Sequence, residues 1–545
     1  MGDTKMQKKW FGTAMAAVMM GTVLVGCGDN SSTGKGSDEQ VLNLYIGDDL
    51  PNMDVSKATD AYSFLMMANT MEGLVRLDAE GKAQPGIAES WEISPDSKTF
   101  TFKLRDAKWG NGDAVTAEDF VYSWKRTLKP ETASQYSFML YWIKGASDYN
   151  QGKGSDAEIG VKALDNKTLQ VTLDNPTPFF LNQMSFPIFY AQNKKFVEEK
   201  GDKYGTSFDT ILSNGPFKMV GWEHDTSVSL EKNADYWDAS NVTLEKVNYQ
   251  VIKDTTAAVN MYEAGQLDRV GLVRDHVDRY KDSAEFSLKP ELTNGYLLFN
   301  PKVKGLDNAK IRTAITWAID RDMYVDIVYH NGTVGATGFV PNGTSDSAGG
   351  DFRKTAGDTL SKKTDAEVKE MFEAGLKEAG LKASDLKLQM LVDDSDVAKK
   401  SSELLQEQWR SKLGINVDVQ GVPFKLRLEK ERNMDYQIGL SLWGADYNDP
   451  MTFLDLYLAD GEFNKVKYNN PQYDELIKLA KAESDTKKRA QYLVDAEKLL
   501  MKDMPIGPIF FRGKSFATKE YVKGLVTFPY GVDYDLKHVK IEGKK

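Results

Sequence analysis

The sequence predicts a mixed α/β fold, and three observations carry that expectation. Short stretches of alternating apolar residues mark strands. Amphipathic segments with helical spacing stand between them. No internal repeat at solenoid spacing runs through the chain. With 545 residues the chain is too long for one compact core, so two to four domains are expected.

The elements follow in order. "VLNLYIG" opens the body, with Val41, Leu42, Leu44 and Ile46 as a first strand. "TFTFKL" (99–104) puts Phe100, Phe102 and Leu104 on one face, and "TLQVTL" (168–173) does the same with Leu169, Val171 and Leu173. Between them "TAEDFVYSWKRTL" (116–128) reads as a helix. Thr116 is placed to cap it, Asp119 holds the capping-box position, and Phe120, Val121, Trp124 and Leu128 share a face. "DNPTPFFLNQMSFP" (174–187) carries Phe179, Phe180 and Phe186 between prolines and reads first as a core or loop cluster. The second half is richer in helix. Ile311, Ala314, Ile315, Ala318 and Ile319 keep helical spacing, as do Leu405, Trp409 and Leu413 before Gly414. "INVDV" (415–419) then alternates as a strand. Leu493, Ala496, Leu499 and Leu500 form a last amphipathic helix before Pro505 and Pro508.

The first forty residues are of another kind. Lys5, Lys8 and Lys9 precede an uncharged apolar run, Phe11 to Val25, too short for a stable membrane span. The run ends in Leu24-Val25-Gly26-Cys27, and Cys27 is the single cysteine. This looks like a bacterial lipoprotein signal, cleaved before Cys27 and acylated on that thiol, with Met1 or Met6 as the start. An ordinary secretory signal with an incidental cysteine is the alternative. Residues 28–40, Gly/Ser/Asp-rich, read as a flexible tether. With its one thiol used as an anchor, the chain has none for disulfides or zinc.

Charge and motifs exclude several function classes. A formal net charge of −11 argues against a nucleic-acid partner. Gly-x-Ser-x-Gly, His-Glu-x-x-His, a Walker A loop and a complete Gly-x-Gly-x-x-Gly are all missing. The four histidines (His224, His276, His330, His538) are scattered, with no pair at metal-ligand spacing. Carboxylate pairs need no local motif, yet nothing in the sequence calls for an enzyme, a metal or a cofactor.

Several blocks carry a more specific resemblance. They are "EGLVRLDAEGKAQPGIAESWEISPDSKTFTFKLRDAKWGNGDAVTAEDFVYSWKR" (72–126), "SNGPFKMVGWE" (213–223), "NADYWD" (233–238), "IRTAITWAIDRD" (311–322) and "WGADYNDP" (443–450). Over residues 41–545 the chain resembles the oligopeptide-binding (OppA-like) family 5 solute-binding proteins of peptide ABC importers. The resemblance implies a three-lobed, periplasmic-binding-protein-like fold of the hinged class II type with mixed sheets. Lobe I would combine 41–71, 194–292 and 514–545, lobe II would be 72–193, and lobe III would be 293–513. "LTNGYLLFN" (292–300) and "FRGKSFA" (511–517) are the hinge candidates. Implied partners are oligopeptides and the importer's permease subunits. The implied setting is a monomer, lipid-anchored on the outer face of the cell membrane of a Gram-positive bacterium. A receptor for a signalling peptide or pheromone, or for another solute (dipeptide, nickel complex, oligosaccharide), is the alternative.

The resemblance also implies the site. Asp446, in the Ala-Asp-Tyr motif, would hold the peptide's α-ammonium. Leu442, Trp443 and Gly444 on one lobe, and Thr59, Asp60 and Ala61 on the other, would pair with the ligand main chain by strand addition. Gly444 and Ala445 would leave room for that main chain. Trp443, Tyr136 and Tyr296 would line side-chain pockets. By itself "WGADYNDP" also fits an Asp/Asn/Pro turn after a strand. The basic residue that family members place shortly before the tryptophan is replaced by Gly439-Leu440-Ser441.

Overall fold

The computed structural model describes residues 39–544. Cys27 and the rest of the signal, and the tether up to Asp38, lie outside the described residues.

Alternating sequence becomes sheet where it was expected. Val41–Ile46 buries Leu42, Leu44 and Ile46 and pairs in parallel with Lys246–Val251. Ser227–Lys232 and Phe217–Glu223 continue that sheet antiparallel. A second, antiparallel sheet runs Ala88–Ile93, Thr99–Leu104, Thr168–Thr172, Val161–Asp165. Its Phe100, Phe102, Leu169 and Val171 point into the core.

Helix Ala117–Leu128 closes the face of that second sheet. The Asp119 carboxylate accepts from the Thr116 backbone N–H at 2.9 Å and from Trp109 Nε1 at 3.2 Å. Asp119 therefore also holds the "KWGNGD" turn, which gives Trp109 a scaffold role. Trp124 is fully buried, edge-on to Phe120 and Phe189, and its Nε1 donates to Phe189 O at 2.9 Å. Truncating such a side chain costs about 3–5 kcal/mol.

The largest sheet has seven strands and carries the site. Its main order is Arg269–Leu272, Ile506–Thr518, Phe286–Phe299, Ile438–Gly444, Leu388–Asp393, Val417–Val422. Phe286–Phe299 and Ile506–Thr518 are long crossing strands, and both hinge candidates lie largely on them. Their pairing shifts register between Pro290 and Asn294 and again at Gly295. A Cβ on Gly295 would fall 2.1 Å from the Phe510 ring, so only glycine lets the ring lie across the strand here. Arg269–Leu272 joins this sheet by pairing with residues 515–518, and both segments fall in the expected lobe I.

The helices of the second half match their apolar spacing. Ile311, Ala314 and Ile315 are buried on Ala309–Trp317. Asp396–Leu413 buries Leu405, Trp409 and Leu413 and ends at Gly414 with φ +67°. The strand expected at 415–419 forms at Val417–Val422. The two ends of the body meet: Gln40 Nε2 donates to Ile541 O at 2.9 Å, and Ile541 N donates to Gln40 Oε1 at 3.0 Å. No helix among the described residues is long and apolar enough to cross a membrane.

Candidate functional site

The site begins with one strand that loses a neighbour part-way along. Ile438–Gly444 pairs along its whole length with Phe286–Phe299, setting Leu442 opposite Gly295 and Gly444 opposite Thr293. On its other side Leu388–Asp393 pairs only at Ile438 and Gly439. Ala445 N donates to Leu292 O at 2.7 Å, which sets the phase of the antiparallel ladder. Bonding alternates along such a ladder. Trp443 and Ser441 therefore turn their main-chain groups to the crossing strand, and Leu440, Leu442 and Gly444 turn theirs away from it. The carbonyl of Leu440 agrees, since Arg427 Nη1 reaches it at 3.4 Å. Leu442 and Gly444 thus present donors and acceptors along an open edge. Gly444 is exposed and Ala445 is buried.

Just past this edge the chain turns, and the turn is held from three directions. Asp446 N donates to Thr452 Oγ1 at 3.1 Å. Gly531 N donates to Ala445 O at 2.7 Å, and Ser345 N donates to Asn448 Oδ1 at 2.8 Å. The fixed turn directs the Asp446 carboxyl inward, where it is 7% exposed. Its Oδ1 accepts from the Tyr136 hydroxyl at 3.4 Å, and its Oδ2 has no hydrogen-bond partner among the described residues. Burial pushes this carboxyl well above the usual carboxylate range, and the charge of Asp455 adds to the push; the Tyr136 hydroxyl opposes it. A desolvated carboxylate with one weak donor favours any cation that can reach it.

Aromatic rings wall the same space. Tyr136 stacks on Trp443 at 6.1 Å and 14° and on Phe186 at 5.8 Å and 21°. Phe463 meets Trp443 at 4.8 Å and Tyr136 at 5.1 Å, and Phe64 meets Tyr136 at 5.2 Å, all edge-on. Trp443 Nε1 is buried without a hydrogen-bond partner. Beside the cluster a cavity opens, lined by Asp446, Phe186, Tyr190 and Tyr530 together with Arg76 and Asp535. Arg76 does not neutralise Asp446, because its guanidinium is bound to Asp535 at 2.7 Å.

The structure brings most of the expected residues together. Asp446, Tyr136 and Trp443 are joined by direct contacts. Burial raises the Tyr136 phenol first, the charge and hydrogen bond of Asp446 next, and Asp60 is near enough to add to them. Asp60 itself caps helix Ala61–Thr70, its Oδ1 accepting from Ser63 N at 2.8 Å while Oδ2 has no partner. Burial pushes its carboxyl up to about 6. The backbone is extended at Asp60, but Ala61 is already the first helical residue, so 59–61 offers less strand than 442–444. Tyr296 lies opposite Ser441 and packs edge-on to Phe339 at 5.4 Å. It belongs to the same buried cluster as Tyr136 and Trp443. Sequence reading left Phe186 with the core and missed Phe64 and Phe463. An aromatic followed by a lysine two residues on carries no local signal, and only the tertiary fold sets Phe463 beside Trp443.

Chemistry of other kinds has less support. His224 is bound to Asp49 at 2.8 Å and His330 to Asp326 at 2.7 Å, as expected of surface or hydrogen-bonded histidines. Among the described residues, no group of three or more His, Cys, Asp or Glu is placed to hold a metal ion.

The model of the bacterial extracellular solute-binding proteins, family 5 (middle segment), matches residues 82–465. The chain belongs to family 5. It is 36% identical over 542 residues to the oligopeptide-binding protein OppA of Bacillus subtilis (strain 168), covering 96% of this chain and 97% of the relative. Among solved structures, the fold matches the substrate-binding domain of an oligopeptide ABC transporter from Bacillus anthracis str. Ames with a TM-score of 0.90. The identity is 38%, over 93% of this chain and 99% of that one. It also matches the pheromone receptor PrgZ, a structure described with its mode of peptide binding, with a TM-score of 0.88 at 34% identity. That match covers 92% of this chain and 100% of that one. These family 5 proteins share the mixed-sheet, periplasmic-binding-protein-like architecture described above.

Proposed function

We propose that this family 5 protein is a non-catalytic receptor that captures oligopeptides in extended form and delivers them to an ABC importer. The observation that carries the reading is the juxtaposition of Asp446 with the open edge at Leu442 and Gly444. A peptide offers an α-ammonium at one end and a ladder of amides behind it. Asp446 matches the first and the open edge the second. Thr59 and Asp60 supply main chain from the facing side, and Tyr136, Trp443 and Phe463 form an adaptable aromatic wall. The similarity to OppA supports the substrate class.

The three lobes are assigned as 41–71 with 194–292 and 514–545, 72–193, and 293–513. The first two sheets fall within lobes I and II, and the crossing strands carry the chain between lobes I and III. These strands are the hinge about which the cleft closes. Cys27 is the acylated anchor that tethers the folded body outside the cell membrane, and the body acts as a monomer. Replacing Cys27 with Ser releases the protein into the medium; a Ser variant held in the membrane fraction as firmly as the parent removes the lipoprotein assignment.

Native mass spectrometry of protein purified without refolding tests the receptor itself. Retained, uncleaved peptides are expected. Recovery of cut products would turn the reading toward an enzyme. The likeness to PrgZ favours a second reading, a receptor for one signalling peptide. A peptide library separates the two: a broad spread of similar affinities marks a nutritional receptor, and one dominant binder a pheromone receptor.

A further inference from the structure

The open edge of Ile438–Gly444 is short, and both of its ends are fixed. At one end stands Asp446. At the other, Leu388–Asp393 occupies the edge at Ile438 and Gly439, and the next outward carbonyl, Leu440, is taken by Arg427 Nη1 at 3.4 Å. Among the described residues, free outward groups on this strand therefore remain on Leu442 and Gly444.

A ligand strand starting at Asp446 runs antiparallel to Ile438–Gly444, in line with Leu388–Asp393. In that register one ligand residue exchanges both of its main-chain bonds with Gly444, and the residue two further on does the same with Leu442. The span from Leu442 to Gly444 is roughly 7 Å at about 3.4 Å per residue. A fifth ligand residue arrives opposite Leu440, where it meets Arg427 and the end of the neighbouring strand.

The obstruction is a built one. Arg427 is 4% exposed and forms an ion pair with the fully buried Glu431. Glu431 is held in turn by Lys465 Nζ at 3.0 Å and Ser441 Oγ at 3.3 Å. Arg427 Nε makes no hydrogen bond, with Asp393 Oδ2 at 3.9 Å. The guanidinium therefore cannot swing aside without leaving Glu431 and the Leu440 carbonyl.

We infer that Arg427 sets the length of peptide this receptor holds along the strand: three to four residues fit, and longer chains pair incompletely. The inference rests on the peptide reading of the site. Longer chains must bend out of the sheet at the fifth residue, losing either the Leu442 pairing or the Asp446 contact. Arg427 acts as a positioning residue, through the edge it closes.

Calorimetry with di- to hexa-alanine tests this on the full chain. Affinity is expected to rise from two residues to three or four, then fall by about tenfold or more at five and six. In Arg427→Ala the Leu440 carbonyl is freed, and the ratio of penta- to tripeptide affinity should rise by about tenfold. That variant leaves Glu431 with one cation, so Arg427→Ala/Glu431→Gln is made beside it. The length ratio within each variant is read, which overall stability does not move. Affinity that stays flat or climbs through the hexapeptide overturns the inference, as does a length ratio unchanged in both variants. Absence of binding at every length overturns instead the peptide reading beneath it.

Discussion

Asp446 and Asp449 lie three residues apart on one turn, both buried, and their surroundings are opposite. Asp449 is 1% exposed and saturated: Arg489 reaches it through two bonds of 2.8 Å, Ser347 Oγ donates to it, and Met451 N donates to Oδ1 at 2.9 Å. Asp446 has one phenolic hydroxyl at 3.4 Å and a bare Oδ2. The same residue type therefore serves two ends. Where the fold supplies the counter-charge, the aspartate braces the turn. Where it withholds one, the turn is left with an affinity to be satisfied from outside.

The sharpest test of this contrast is to remove each carboxylate in turn. Breaking a buried, hydrogen-bonded pair costs roughly 3–5 kcal/mol, equivalent to two to four decades in an equilibrium constant. Asp446→Ala should lose that much in peptide affinity, with little loss of thermal stability in the ligand-free protein. Asp449→Ala should lose it in stability, because Arg489 is left buried and alone. Calorimetry and thermal unfolding read the two separately, and a swap of the two outcomes breaks the comparison. N-terminal acetylation of the peptide should act on the parent as Asp446→Ala does, and the two changes together should be far less than additive.

Ligand itself should sharpen the contrast at somewhat smaller scale. At a hundredfold excess over Kd, a peptide bound only by the folded form adds about 2.7 kcal/mol of stability. This gain should vanish in Asp446→Ala and survive in any Asp449 variant that still folds. Small-angle scattering should show compaction on the same addition.

Acidity gives a third handle. Burial raises the carboxyls of Asp446, Asp60 and Asp455, the last two up to about 6. A carboxyl whose folded pKa lies above its unfolded value stabilises the fold below the unfolded value, and that contribution is lost as pH rises through the folded one. For Asp60 and Asp455 the window runs from about pH 4 to 6. The ligand-free protein should therefore lose these contributions across that window. Peptide affinity should move the other way and fall on acidification, because the ammonium needs Asp446 ionised. Thermal melts and titrations across pH 4–7 check both signs; an affinity independent of pH removes Asp446 from the amine contact.

The smallest expected effect lies away from the turn. Lys253 bridges Asp48 at 3.2 Å and Asp394 at 3.1 Å, tying the expected lobes I and III together. Such partly exposed pairs contribute about 0–1 kcal/mol and weaken with salt. Lys253→Met should speed peptide release by at most several-fold, more at low ionic strength, as stopped-flow dissociation would show.

How legible was this in the sequence? The helix at Ala117–Leu128 was, because its cap, apolar face and end are local. So was Asp446, through a motif rather than through periodicity. The saturation of Asp449 was hidden, since Arg489 and Ser347 come from segments 40 and 102 residues away. The open edge was hidden for the same reason: alternation marks a strand but not where its neighbour leaves it. Trp443 was legible as an aromatic and opaque as a wall, because Tyr136, Phe186 and Phe463 reach it from distant stretches.

The clasp between Gln40 and Ile541 has a consequence for how the chain is made. The first strand of the body has no partner until Lys246–Val251 has been synthesised. The bonds that close Gln40 join residues 501 positions apart. Gly531, which braces the turn before Asp446, also lies far along the chain from the strands it completes. Contacts so distant in sequence form late and slowly. The polypeptide therefore emerges as an unfinished thread, and its recognition surface is assembled only once residues past 530 have been delivered.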